Sequence, residues 1–207
     1  MKQYLAPAYQ SRLWDAIQNL ENGSQAEAVV VFRARSADYN SVPLLWGLAA
    51  AWLSFTVMMY APVYFENWLI YYAPLLAFAA AAGCGSLPAA KRCSVRRPVR
   101  DKCVEIMARA IFQKGGIQHT KDKTGFLVYC SLLERRVFLL ADRGLQLAVP
   151  QEVWQELQSE FDGIFGDSQP EQSLLRALEK TAAAFARYLP VQDGDINELP
   201  DRLDIDL

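Results

Sequence analysis

Three polar stretches hold most of the side chains able to do chemistry: His119 to Thr124, Glu134 to Arg136, and Asp142 to Gly144. In a hydrolase, Asp142 would act as nucleophile or metal ligand with Asp122 as the second carboxylate. Arg143 would hold a phosphate through two parallel N–H donors. His119, the single histidine of the chain, has the titration range of a general base. Each residue also has a plainer reading. Asp-Arg-Gly after a strand is a turn in which the acid caps backbone donors and Gly144 supplies a positive φ. His119 in a polar connection is a loop or interfacial residue. Glu134-Arg135-Arg136 at a hairpin turn is a solvated or headgroup-facing charge cluster, or a partner-docking site. No P-loop, GxSxG, HExxH or dinucleotide glycine pattern is present. Spacing fixes no nucleophile–base pair, so no catalytic set, metal site or cofactor is assigned. Asp142, Asp122 and His119 stand as the candidates, with Asp142 and Asp122 those for a metal. The expected binding residues are Arg135, Arg136 and Arg143, together with Lys91, Arg92, Arg96 and Arg97.

Cys84, Cys93, Cys103 and Cys130 show neither CxxC nor Cys/His spacing, which argues against zinc and for reduced thiols. The net charge of −2 points to no polyanionic partner, and no nucleic acid is expected. That average hides a gradient. Lys91, Arg92, Arg96, Arg97, Arg100 and Lys102 are offset only by Asp101, whereas the tail after Pro190 is acidic. The basic run lacks interleaved aromatics, so its expected partners are anionic lipid headgroups.

Those headgroups are implied by the chain itself. From Tyr39 to Ala90 only Glu66 is charged. A helix needs about 20 apolar residues to cross a bilayer core. Leu44–Tyr60 and Trp68–Leu87 fit two such helices, with Pro62 breaking the chain between them. Tyr60, Tyr64, Trp68, Tyr71 and Tyr72 cluster at the reversal, where amphipathic rings favour the headgroup level. Small residues allow the helices to approach closely: Gly47, Ala51 and Ser54 on the first, Ala79 and Gly83 on the second. The reversal holds no Lys or Arg, and both flanks do, so both termini are expected in the cytoplasm. Met1 to Tyr9 lacks a basic start followed by an apolar run, so no cleavable signal peptide is expected.

The flanks carry the elements of a soluble domain. Leu13, Trp14, Ile17 and Leu20 share a helical face that stops at Asn22-Gly23, and Ala28–Phe32 reads as a buried strand. One helix and one strand cannot make a domain, so their partners must follow the membrane segment. Val104 to Phe112 repeats at helical spacing. Phe126–Ser131 and Arg135–Ala141 read as strands joined by Leu132-Leu133-Glu134. Two amphipathic helices follow, over Val153–Phe165 and Leu174–Leu189. The expected organisation is an α/β layer structure split by the hairpin. Residues 1–40 give its first helix and strand, 41–90 the transmembrane hairpin, and 91–102 a basic juxtamembrane linker. Residues 103–190 give the remainder, and 191–207 an acidic tail.

Several stretches are similar to the TPM domain family, in particular to bacterial membrane proteins in which a hairpin splits the domain. They include Ala26-Glu27-Ala28-Val29-Val30-Val31, Val42-Pro43-Leu44-Leu45-Trp46-Gly47 and His119-Thr120-Lys121-Asp122-Lys123-Thr124-Gly125. Val128 to Val137, Leu140-Ala141-Asp142-Arg143-Gly144 and Asn197-Glu198-Leu199-Pro200-Asp201 match as well. The resemblance implies a three-layer α/β/α domain with a mixed sheet, in a family whose members sit in or on membranes; the location expected for this chain is a bacterial inner membrane. Members of this family support photosystem repair or modulate a receptor channel, and phosphatase activity has been ascribed to some. The expected function is therefore a non-catalytic interaction or assembly factor for another integral membrane protein or complex. The alternative is a metal-assisted phosphatase at the cytoplasmic face.

Overall fold

A computed structural model describes Tyr4 and residues 6–191 and 202–206. It divides the chain into two compact units, one formed by residues 1–36 and 101–207, the other by residues 37–100.

The first unit is built on a four-stranded mixed sheet of β1 (Glu27–Arg33), β2 (Gly125–Ser131), β3 (Arg136–Ala141) and β4 (Arg202–Asp206), in the order β3-β2-β1-β4. Strand β1 runs parallel to β2, with Val30 opposite Val128. Strand β3 returns antiparallel to β2. The central strands β1 and β2 are buried on both faces, which is why they read as continuous apolar runs rather than as alternation. Ala28, Val30, Phe32, Phe126, Val128 and Cys130 point into one core and Val29, Val31, Leu127 and Tyr129 into the other. The first core is closed by three helices, α1 (Pro7–Gly23), α7 (Gln151–Gly163) and α8 (Pro170–Tyr188). The second is closed by α5 (Arg97–Lys114) through Val104, Ala108 and Phe112. Helices on both faces of a mixed sheet make the three-layer α/β/α class.

Three local features differ from the sequence reading. Asp142-Arg143-Gly144 does not turn: it opens α6 (Arg143–Ala148), with Asp142 as N-cap. Nor does Gly144 take a positive φ, which among described glycines belongs to Gly116 alone. A Cβ on Gly144 would lie 2.3 Å from the Asp122 carbonyl oxygen, so glycine is required by close approach. The hairpin loop spans Leu132 to Arg135, with Arg135 itself left-handed at φ 55. The acidic tail supplies an edge strand, β4 (Arg202–Asp206), parallel to β1 and tied to it by Arg33–Asp204 at 2.7 Å. The matching stretch Asn197–Asp201 lies outside the described residues.

The second unit contains α2 (Ser41–Tyr60) and α3 (Asn67–Gly85), of 20 and 19 residues, both long and apolar enough to cross a membrane. Leu48, Trp52, Leu53, Leu75 and Leu76 are exposed. Gly47 packs under the Phe78 ring, and Gly85 lies against Pro43 and Trp46. Gly83, expected at the contact, faces open space. The basic stretch is helical rather than a linker: α4 (Pro88–Ser94) holds Lys91 and Arg92, and α5 begins at Arg97.

Candidate functional site

Strand β3 separates the candidate residues into two groups. Arg135 and Arg136 stand at its start, Arg136 as its first residue, and Asp142 and Arg143 follow it. Five strand steps set the two ends roughly 17 Å apart, too far for one small-molecule site.

At the far end the Asp142 carboxylate accepts from Arg143 N at 2.7 Å, and the Asp142 N–H donates to Gly125 O at 2.8 Å. Its Oδ2 has no hydrogen-bond partner among the described residues. The turn holding Asp122 packs its backbone onto α6, with Leu145 N donating to Lys123 O. Asp122 and Arg143 are exposed. His119 ends a short 3-10 turn, exposed, with its Nε2 3.4 Å from the side-chain nitrogen of Gln118. The Asp122 turn therefore packs on the first turn of α6, which Asp142 caps, but among the described residues no three His, Cys, Asp or Glu gather as a metal site.

The hairpin end is more tightly organised. Arg136 grips Asp101 with two parallel bonds, Nε–Oδ1 at 2.7 Å and Nη2–Oδ2 at 2.9 Å, and also reaches Asp162 at 3.4 Å. The hydrogen bond to Asp101 raises the Arg136 pKa above its ordinary value, and the charges of Asp101 and Asp162 add to it. Arg136 is thus committed to structure, whereas Arg135 is exposed. Beside it the buried Glu134 carboxylate accepts from Ser36 N at 2.9 Å and from Ser131 Oγ. Ser36 Oγ bridges Tyr129 Oη at 2.8 Å and Ser131 Oγ at 2.7 Å. Burial raises the Tyr129 hydroxyl pKa, against the opposing pull of those serine contacts. Sequence reading did not find this network; the polar Ser131 and Glu134 beside an otherwise apolar strand were its only signal.

Lys91, Arg92, Arg96 and Arg97 belong to the second unit, Lys91 and Arg92 half-buried on α4, Arg96 and Arg97 exposed. A further feature was also missed, a groove of about 450 Å³ lined by Leu139, Leu140, Ala141, Gln146, Trp154 and three glutamines of α7. Its signal is Gln151, Gln155 and Gln158, at helical spacing beside Trp154.

Fold and site together define an α/β/α domain interrupted, between its first and second strands, by two helices long enough to span a membrane. No family model matches the chain, and no curated protein matches it. Among solved structures it is similar to the NMR structure of BA42, from the psychrophilic bacterium Bizionia argentinensis, a small protein of the TPM-domain type. The TM-score is 0.59 at 16% identity, over 97% of this chain and 94% of that one. The α/β unit therefore has a TPM-type fold.

Proposed function

We propose that this chain is a membrane-anchored TPM-type protein acting as a non-catalytic interaction or assembly factor for another integral membrane protein or complex. It belongs to the branch in which a transmembrane hairpin splits the domain. The setting is the cytoplasmic face of a bacterial inner membrane, with both termini inside. The observation that carries this reading is the treatment of Ser36 and Asp101, the two residues of the α/β unit next to the apolar segment. Both are tied to the β2–β3 hairpin, Ser36 through Glu134 and Asp101 through Arg136. Tethering at two points on one side of the sheet suits a domain held at a surface. Lys91, Arg92, Arg96 and Arg97 flank the second span and suit anionic lipid headgroups; the first turn of α5 contains no acid to neutralise them. Two of the candidate residues have structural work: Asp142, the first catalytic candidate, caps α6, and Arg136, an expected binding residue, is ion-paired.

The phosphatase reading is kept for one observation, the unpartnered Asp142 Oδ2 near the Asp122 turn. The full chain in mild detergent decides between the two. We expect no turnover of p-nitrophenyl phosphate with Mg²⁺, Mn²⁺ or Ca²⁺. We also expect a discrete product with one membrane protein when a photo-crosslinker replaces Arg135 in cells. Metal-dependent turnover abolished by Asp142→Asn, with no crosslinked product, would reverse the assignment.

A further inference from the structure

We propose that the groove between the free edge of β3 and helix α7 binds an extended, uncharged peptide segment of a protein partner, which joins the sheet as a strand beside β3. This rests on the reading of the α/β unit as an interaction domain and names where on that unit the partner docks.

The phase of the β2–β3 ladder identifies the groups on offer. Asp142 N donates to Gly125 O, and with the observed register this places Leu140, Phe138 and Arg136 in hydrogen-bonded pairs with β2. Val137, Leu139 and Ala141 then direct their backbone N–H and C=O groups away from β2. No described strand lies beyond β3. One of these groups is already taken, since Ala141 O accepts from Gln146 Nε2 at 2.7 Å. The N–H and C=O of Val137 and Leu139 and the N–H of Ala141 form the open edge.

Helix α7 walls that edge. Gln151, Trp154, Gln155 and Gln158 lie at positions i, i+3, i+4 and i+7, one stripe of the helix. The groove has two ends. Gln146 stands at Ala141, and the Arg136–Asp162 contact stands at the start of β3, with Gln158 Nε2 donating to the same Asp162 at 3.2 Å. An edge strand beside a helix is the arrangement that binds peptides by strand addition in several unrelated domains.

The lining chooses the occupant. No charged side chain lines the groove, so an ion would lose hydration without a counter-charge. A purely apolar ligand would leave the edge amides unpaired. An extended peptide supplies alternating C=O and N–H groups at the repeat of the edge itself.

The test pans a displayed random heptapeptide library against the full chain in detergent micelles, with empty micelles as counter-selection. The enriched peptides are then synthesised and titrated. We expect uncharged, β-prone sequences whose binding slows amide exchange at Val137 and Leu139. Affinity should fall at least tenfold in Gln155→Glu and in Gln151→Glu, each of which puts a charge in the groove from an exposed helix position. Peptides that bind without protecting those amides, or equally well to both variants, overturn the groove assignment while leaving the interaction reading intact. No binder at all, together with phosphate-ester turnover, removes both. Protection of the same amides in a peptide-free dimer would assign the edge to a second copy and overturn the proposal.

Discussion

Arg136 and Asp101 face each other in a bidentate ion pair at 2.7 and 2.9 Å, across 35 positions that include part of the basic run. Asp101 is the first residue of the α/β unit after the apolar segment, and Arg136 opens β3. Their side chains are 20% and 37% exposed, so the contact is partly screened. Arg136→Lys keeps the charge and loses the fork. We expect it to cost about 1 kcal/mol and Arg136→Ala about 1–2 kcal/mol. A double-mutant cycle with Asp101→Asn, read by denaturant melts, should show coupling; strict additivity would count against the clamp.

Ser36 and Glu134 make the second attachment, and this one is buried, at 6% and 3% exposure. Glu134→Ala would leave the Ser36 N–H and the Ser131 hydroxyl without their acceptor. The expected cost is about 2–4 kcal/mol, and Glu134→Gln, which keeps an acceptor, should recover a good part of it. Equal destabilisation by both variants would mean that charge, not hydrogen bonding, holds the corner.

Asp142 caps α6, and that role sets the outcome of substitution. Asn is as good an N-cap as Asp, so Asp142→Asn should be near neutral, while Asp142→Ala should cost about 0.5–2 kcal/mol. A metal-dependent rise in Tm that Asp142→Asn abolishes would show a ligand role instead; metal at a hundred times its Kd adds about 2.7 kcal/mol.

Two glycines should respond oppositely to alanine. In Gly144→Ala the new Cβ meets the Asp122 and Lys123 carbonyl oxygens at 2.3 and 2.7 Å. Backbone must move, at about 1–3 kcal/mol. Gly163, in α7, has nothing within 4 Å of its Cβ position, so Gly163→Ala should stabilise by about 0.5–1 kcal/mol. Thermal melts of the pair check the direction of each.

Much of this architecture was legible because its signals are local. The face of α1 and the apolar runs of β1 and β2 carry their own periodicity, and the uncharged stretch from Tyr39 outlined α2 and α3. Elements whose reason is distant were not. Strand β4 was hidden in an acidic tail, because the partner of Asp204, Arg33, lies 171 positions away. Helix α6 was hidden because Asp-Arg-Gly is also a turn sequence, and only the contact with Asp122 explains its glycine. In the second unit Gly83 and Gly85 look alike in sequence, and only Gly85 meets Trp46. The candidate site suffered most: Ser36 and Glu134 are 98 positions apart, so the corner they share has no local signature.

Cys130 should behave unlike Cys93. Burial pushes the Cys130 thiol up from its ordinary 9.0, and burial likewise raises Tyr129 above 10.0. Neutral forms are favoured in the folded state, so this stability is complete below the unfolded values and is lost as pH rises through the folded ones. Stability should show no effect of these groups between about pH 6 and 8 and should decline above about pH 9. A maleimide should label the exposed Cys93 quickly and reach Cys130 only on unfolding. Rapid labelling of Cys130 in the native protein would contradict its place in the core.

The anchoring of the α/β unit is the claim on which the functional reading depends, and topology tests it most directly. A reporter active only outside the cytoplasm is inserted in the reversal after Val63 and, separately, fused after Leu207. The reversal contains no Lys or Arg, and both flanks do. The account predicts strong activity from the reversal insertion and silence from the C-terminal fusion, with both chains in the membrane fraction after an alkaline wash. Activity from the fusion after Leu207, or recovery of the chain as a soluble protein, would contradict it.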